Sequence, residues 1–177
     1  PWMDYSRPIL KEKVVVFVRA EVARKRPIER FPLGYSGLHI GVNRGFMSID
    51  DQDYQSMLAT GALKQSYAND NRTNLARLYH GRIDIYINDR LSVLWELDQM
   101  QREGVFAQSD LNWLVEGPWL SGEAGYLGYT RLNATAYPYK PNFMQRLDNI
   151  LAELERDGSI ERLVKSYDLV SPLYSPG

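Results

Sequence analysis

The sequence predicts an α/β lobe built on a mostly parallel sheet flanked by helices, followed by a pair of C-terminal helices. Three observations carry this expectation. Val14 to Val18 is an unbroken apolar and largely β-branched run, which suits a strand buried on both faces. From there to Arg102, strand-like and helix-like segments take turns, the order that favours parallel strands with helices on the sheet's faces. Beyond Asn142, two segments carry apolar stripes at helical spacing.

Taken in order, the Val14 to Val18 strand is followed by a stretch punctuated by Pro27, Pro32, Gly34 and Gly37. Leu38 to Val42 then reads as a second strand, closed by Asn43, Arg44 and Gly45. Asp50 is placed to cap a helix that carries Tyr54, Met57 and Leu58 on one face and stops at Gly61. A short strand at Gln65 to Ala68 precedes a helix with Leu75, Leu78 and Tyr79 on one side. The strand Ile83 to Ile87 leads into a helix from Arg90 to Arg102, which Gly104 ends. Trp113 to Gly128 is aromatic and Gly-rich and leads into a strand around Tyr126 to Thr130; Tyr137 to Pro141 is a turn. Phe143, Leu147, Ile150, Leu151 and Leu154 stripe one terminal helix, and Ile160, Leu163, Val164 and Tyr167 the next, with Gly158 between them. The Pro-rich tail from Ser171 reads as extended or disordered.

Composition narrows the functional classes. A chain of 177 residues holds one ordinary domain or one and a half small ones. Its formal net charge of -1 gives no electrostatic footprint for nucleic acid or an anionic membrane. The basic cluster Arg24, Lys25 and Arg26 is short enough to be a solvated loop and is assigned no partner. The absence of cysteine removes disulfides, thiolate nucleophiles and cysteine-ligated metals together. No apolar stretch approaches the ~18 residues of a membrane span, and PWMDYSRPIL lacks the regions of a signal peptide, so an export signal would lie outside this sequence.

Catalytic signatures are missing. His39 and His80 have no partner at metal-ligand or triad spacing, and capping or packing explains both. There is no G-x-S-x-G, no phosphate loop and no dinucleotide fingerprint, and the Asp50–Asp51 pair is explained by a helix start. The expectation is a protein with no catalytic residues, no metal and no cofactor.

Two loops that end strands suit binding instead. In Asn43, Arg44, Gly45, Phe46 and Met47, the glycine would let backbone N–H groups approach an anionic group beside a helix N-terminus; equally, Gly45 only makes the turn and Phe46 plugs the core. In the second loop, Asn88 and Asp89 follow a strand and precede a helix, so Asp89 is an ammonium acceptor, an N-cap, or both.

The order of segments resembles the bacterial extracellular solute-binding proteins of family 3, which serve amino-acid importers and in some cases act as sensors. Tyr5 to Ile9, YSRPI, is similar to that family's aromatic-Ser-x-Pro-aromatic element before the first hinge, and Lys13 to Ala20 to its crossing strand. GLHIGVNRGF at Gly37 to Phe46 resembles the opening of the second lobe. LARLYHGRIDIYIND at Leu75 to Asp89 is the most specific match. Gly125 to Arg131 is similar to the returning hinge strand, and Phe143 to Tyr167, ending LERDGSIERLVKSY, to the C-terminal helix pair.

The resemblance implies a periplasmic-binding-protein-like lobe divided as follows: residues 1–20 end a first lobe and form the first hinge strand, 21–124 form the second lobe, 125–170 return to the first lobe, and 171–177 are a tail. It implies Asp89 as receiver of a ligand ammonium, with Asn88, Arg44, Gly45, Phe46, Met47 and Tyr5 as further ligand-binding residues. Where the family offers Thr or Ser to a ligand carboxylate, this chain has Phe46 and Met47, which points to a more apolar or aromatic ligand, or to a pocket that no longer binds tightly. The implied role is non-catalytic binding of a small solute for the membrane permease of an ABC importer, in the periplasm, closing by hinge motion at Val14 to Val18 and Tyr126 to Thr130. A sensor domain and the targeting domain of a cell-wall lytic enzyme are the alternatives. The family's first lobe would precede Pro1, so the terminal helices expose apolar stripes unless a longer chain, or a second copy in a homo-oligomer or swapped dimer, covers them.

Overall fold

The computed structural model describes residues 2–45, 49–106 and 112–169. The described residues divide into two compact units, one drawn from 2–12 and 122–169, the other from 13–121.

The larger unit is built on a five-stranded sheet. Its strands are β2 (Leu10–Arg19), β3 (His39–Asn43), β4 (Lys64–Ala68), β5 (Ile85–Asp89) and β6 (Leu114–Gly125), in the spatial order β4-β3-β5-β2-β6. β1 (Met3–Tyr5) belongs to the other unit. β3 pairs in parallel with β4 and β5, whereas β2 runs antiparallel to β5, with Val14 opposite Asp89 and Val18 opposite Ile85. The expected parallel core is therefore the trio β4-β3-β5, joined by two helical passes.

The apolar run in β2 now has its reason. Side chains alternate across a strand, so Val14, Val16 and Val18 enter a core with Ile40, Val42, Ile85 and Ile87. Val15 and Phe17 enter a second core on the opposite face with Leu75, Leu78, Val93, Leu94 and Leu97. A strand with a core on each face has no polar positions to spare.

The helices of this unit are α1 (Ala20–Ala23), α2 (Gln52–Ala59), α3 (Asn71–Tyr79) and α4 (Arg90–Arg102). α2 is capped by Asp51, whose side chain accepts the Tyr54 N–H, so the cap falls one residue later than the expected Asp50. Tyr54, buried in the first core, donates its hydroxyl hydrogen bond to Gln65 of β4. Arg72 of α3 pairs with Glu96 at 2.8 Å and Glu103 at 2.6 Å, tying α3 to α4 and its C-terminal cap. His80 stands at the C-cap of α3, and His39 Nε2 lies 2.7 Å from Ser66 Oγ.

β6 was not legible in the sequence. Gly117, Pro118, Gly122 and Gly125 break its periodicity. The proline is tolerated because β6 is the last strand of the sheet, where a missing N–H leaves no ladder partner unmet. At Gly117 a Cβ would stand 3.0 Å from the carbonyl oxygen of Val16, so the glycine permits the close approach of the neighbouring strand. The boundary between the two compact units falls within β6, between Ser121 and Gly122.

In the smaller unit β1 pairs antiparallel with β7 (Gly128–Thr130), and α5 (Lys140–Arg156) and α6 (Ser159–Leu169) follow. Ser6 exchanges hydrogen bonds with Leu127, and Asp4 pairs with Arg131 at 2.6 Å. The Arg7 N–H donates to Asp148 of α5 at 2.8 Å. Apolar burial is sparse: Tyr129 and Leu151 are buried, while Phe143 and Ile150 are each 50% exposed and Leu163 is 63% exposed. No described helix is long and apolar enough to cross a membrane.

Candidate functional site

Because β3, β4 and β5 are parallel, their carboxyl ends lie on one edge of the sheet, and each is followed by the start of a helix. In open α/β sheets that edge is where ligands meet the loops. Each of the three helices is capped by an aspartate. Asp51 accepts the Tyr54 N–H at 2.8 Å, Asp70 the Thr73 N–H at 2.7 Å, and Asp89 the Ser92 N–H at 2.9 Å.

Asp89 closes β5 and begins α4, and it is 7% exposed. Its Oδ1 holds the cap and its Oδ2 accepts the backbone N–H of Lys13 at 3.1 Å. The cap alternative is thus realised. A carboxylate offers about four acceptor directions, so two remain after these bonds. Asn88, 5% exposed, accepts the Asp89 N–H through Oδ1 at 2.8 Å and so fixes the backbone beneath the carboxylate.

Beside them lies a polar cluster that sequence reasoning missed. Asn88 Nδ2 donates to Asn71 Oδ1 at 2.7 Å and to the Tyr86 hydroxyl at 2.6 Å. Asn43 Nδ2 also donates to Asn71 Oδ1, at 2.6 Å, and Asn74 Nδ2 donates to Asn43 Oδ1 at 2.8 Å. The Tyr86 hydroxyl lies 2.8 Å from Asn71 Oδ1 and 3.1 Å from Asn43 Oδ1. Burial pushes the Tyr86 hydroxyl well above its ordinary pKa, which keeps it a neutral donor. Arg77 continues the chain to Asn74 Oδ1 at 3.0 Å. The signal in the sequence was slight: Asn43 ends β3 and Asn88 stands one residue before the end of β5, while Asn71 and Asn74 stand three apart at a helix start.

The other expected residues are placed as follows. Arg44 is exposed, and its Nε donates to Asn69 Oδ1 at 3.2 Å on the neighbouring strand-to-helix turn. Gly45 has φ +76°, the left-handed conformation that favours glycine in a turn, and among the described residues nothing lies within 4 Å of where its Cβ would be. Phe46 and Met47 lie outside the described residues. Tyr5 belongs to the smaller unit, is 62% exposed, and meets Tyr126 edge-on with ring centroids 6.2 Å apart. Among the described residues no group of three or more His, Cys, Asp or Glu could hold a metal ion.

No protein-family model matches the sequence, and no curated protein matches it. Solved structures do match in fold. The chain has the α/β fold of amino-acid solute-binding proteins, with a central sheet flanked by helices. It is similar to an ancestral arginine-binding protein bound to arginine, with 16% identity and a TM-score of 0.61 over 93% of this chain. It is likewise similar to the GluR0 ligand-binding core in complex with L-glutamate, with 10% identity and a TM-score of 0.63 over 94% of this chain. An amino-acid ABC transporter substrate-binding protein from Streptococcus pneumoniae bound to L-arginine matches with 13% identity and a TM-score of 0.60, also over 94% of this chain. The chain spans 64%, 64% and 61% of those three structures, less than two thirds of their length.

Proposed function

We propose that this chain is part of a non-catalytic solute-binding protein whose larger unit receives a small solute at the carboxyl edge of β3, β4 and β5. The observation that carries the reading is the convergence of Asp89, Asn88 and three capped helix N-termini on that edge. Asp89 would supply the negative charge for a ligand ammonium through its remaining acceptor directions, with Arg44 and Gly45, which follow β3, as further candidates on the same edge. The likeness to proteins bound to arginine and glutamate supports an amino-acid-like or other small polar or aromatic solute. The same likeness supports delivery to the permease of an ABC importer in an extracytoplasmic compartment.

In this reading residues 1–20 and 125–170 belong to a first lobe and 21–124 to a second, with 171–177 as a tail. The sparse core of the smaller unit supports that division, because its exposed apolar residues need further protein to cover them.

Calorimetric titration of the full chain with amino acids and small aromatic solutes tests the proposal. Asp89→Asn keeps a capping side chain and removes the charge. A loss of roughly tenfold or more in affinity is expected for an ammonium-bearing ligand. Unchanged affinity in the variant would overturn the role given to Asp89. A second reading, a sensing domain that signals on ligand binding, is favoured by the likeness to the GluR0 ligand-binding core. Reconstitution separates the two: ligand-dependent stimulation of a permease's ATPase supports import, and its absence beside a ligand-dependent signalling output supports sensing.

A further inference from the structure

The edge of the sheet opposite Asp89 holds a cavity of about 340 Å³, lined by Arg19, Glu21, Arg24, Tyr79, Asn112 and Trp113 among others. The antiparallel register places it there: Val14 lies beside Asp89 and Val18 beside Ile85, so Arg19, at the end of β2, stands where the parallel strands begin. Every one of these lining residues belongs to the larger unit.

Arg19 is poorly satisfied for a guanidinium. A guanidinium carries five N–H donors. Its Nη2 reaches Glu21 Oε2 at 3.4 Å and Asp84 Oδ1 at 3.8 Å. Both are long beside the roughly 2.7–2.9 Å of a good charge-assisted bond. Its Nε is shut off from solvent and has no hydrogen-bond partner. The guanidinium lies against Gly81, where a Cβ would stand 2.1 Å from Nη1, so the glycine makes room for it. Arg24 adds a second positive charge; among the described residues Glu21 is the lining carboxylate, with Asp84 at the rear of Arg19. Tyr79 and Trp113 supply an aromatic wall, their rings meeting edge-on at 5.2 Å.

We propose that this cavity is a second small-molecule site, separate from the carboxyl edge, and that it takes a small organic carboxylate with an aromatic or apolar body. The ligand carboxylate displaces Glu21 from Arg19 and is balanced by Arg24, while the body lies against Tyr79 and Trp113. At about 340 Å³ the cavity is at the small end of ligand pockets, which suits a single-ring acid.

The test is an NMR titration of the full chain with benzoate, using neutral benzamide and cationic benzylamine as controls. Benzoate is expected to shift the Trp113 indole N–H resonance without shifting the Asn88 side-chain amide, and to bind at least roughly tenfold more tightly than either control. Arg19→Gln and, independently, the exposed Arg24→Gln are expected to weaken it, so a folding failure of the first leaves the second to decide. Equal binding of the three probes, no response at Trp113, or benzoate binding unchanged in Arg24→Gln would each overturn the proposal.

Discussion

Asp89 Oδ2 accepts the backbone N–H of Lys13, the first residue of the larger unit, at 3.1 Å, while Oδ1 caps α4 through Ser92. One carboxylate thus fixes the start of a helix and the adjoining stretch of β2. Asp89→Ala removes a cap and leaves the Lys13 N–H without its acceptor, and is expected to cost about 2 kcal/mol or more. Asp89→Asn should cost less. Urea unfolding, read as a shift in midpoint at constant slope, checks both.

The asparagine cluster predicts a cooperative loss. Tyr86→Phe deletes the hydroxyl that Asn88 donates to and that lies between Asn43 and Asn71, and is expected to cost about 1–2 kcal/mol. Asn71→Ala strips the shared acceptor from Asn43, Tyr86 and Asn88 and should cost more. The double variant is expected to fall short of the sum, as residues in one network do, and a double-mutant cycle measures the shortfall.

Acid should weaken the larger unit through its caps. The carboxyl of Asp70 is held below its ordinary value of 3.8 by the Thr73 backbone N–H first, then by the Thr73 hydroxyl, with Arg72 adding a favourable charge. A lowered folded value stabilises the protein above 3.8, and that contribution is lost as pH falls through the folded value. Asp70→Asn is therefore expected to flatten the decline in stability below pH 3.8, seen by denaturant midpoints across an acid series.

Gly45→Ala separates conformation from contact. With φ +76° and open space around the missing Cβ, the whole cost is the left-handed backbone, about 1 kcal/mol. A much larger loss of stability would show that the turn is more crowded than its geometry.

The smaller unit should reveal its uncovered face. With Phe143, Ile150 and Leu163 each half or more exposed, the isolated 177 residues are expected to bind an apolar dye and to associate with rising concentration. Ile150→Glu with Leu163→Glu should reduce both signals. A clean monomer in sedimentation without dye binding would remove the case for a second copy covering these helices.

Much of the fold was legible because its elements are periodic. β2 announced itself through five consecutive apolar residues, and α4 was expected at Arg90–Arg102, where it lies. β6 was hidden because glycine and proline interrupt it, and only its position at the sheet's edge makes them tolerable. At the site, Asp89 could be named because a strand end followed by a helix start is a local pattern. The cluster of Asn43, Asn71, Asn74, Tyr86 and Asn88 could not, because its members meet only once β3, α3 and β5 are set side by side.

The capping aspartates, Asp51, Asp70 and Asp89, stand nineteen residues apart, one for each strand-to-helix pass. A row of bare helix N-termini would attract phosphate or sulfate. Here each positive helix end already holds a carboxylate of the chain itself, so an inorganic anion meets three occupied seats. One repeated contact, an aspartate oxygen on a helix N–H, thereby sets the geometry of all three turns along this edge.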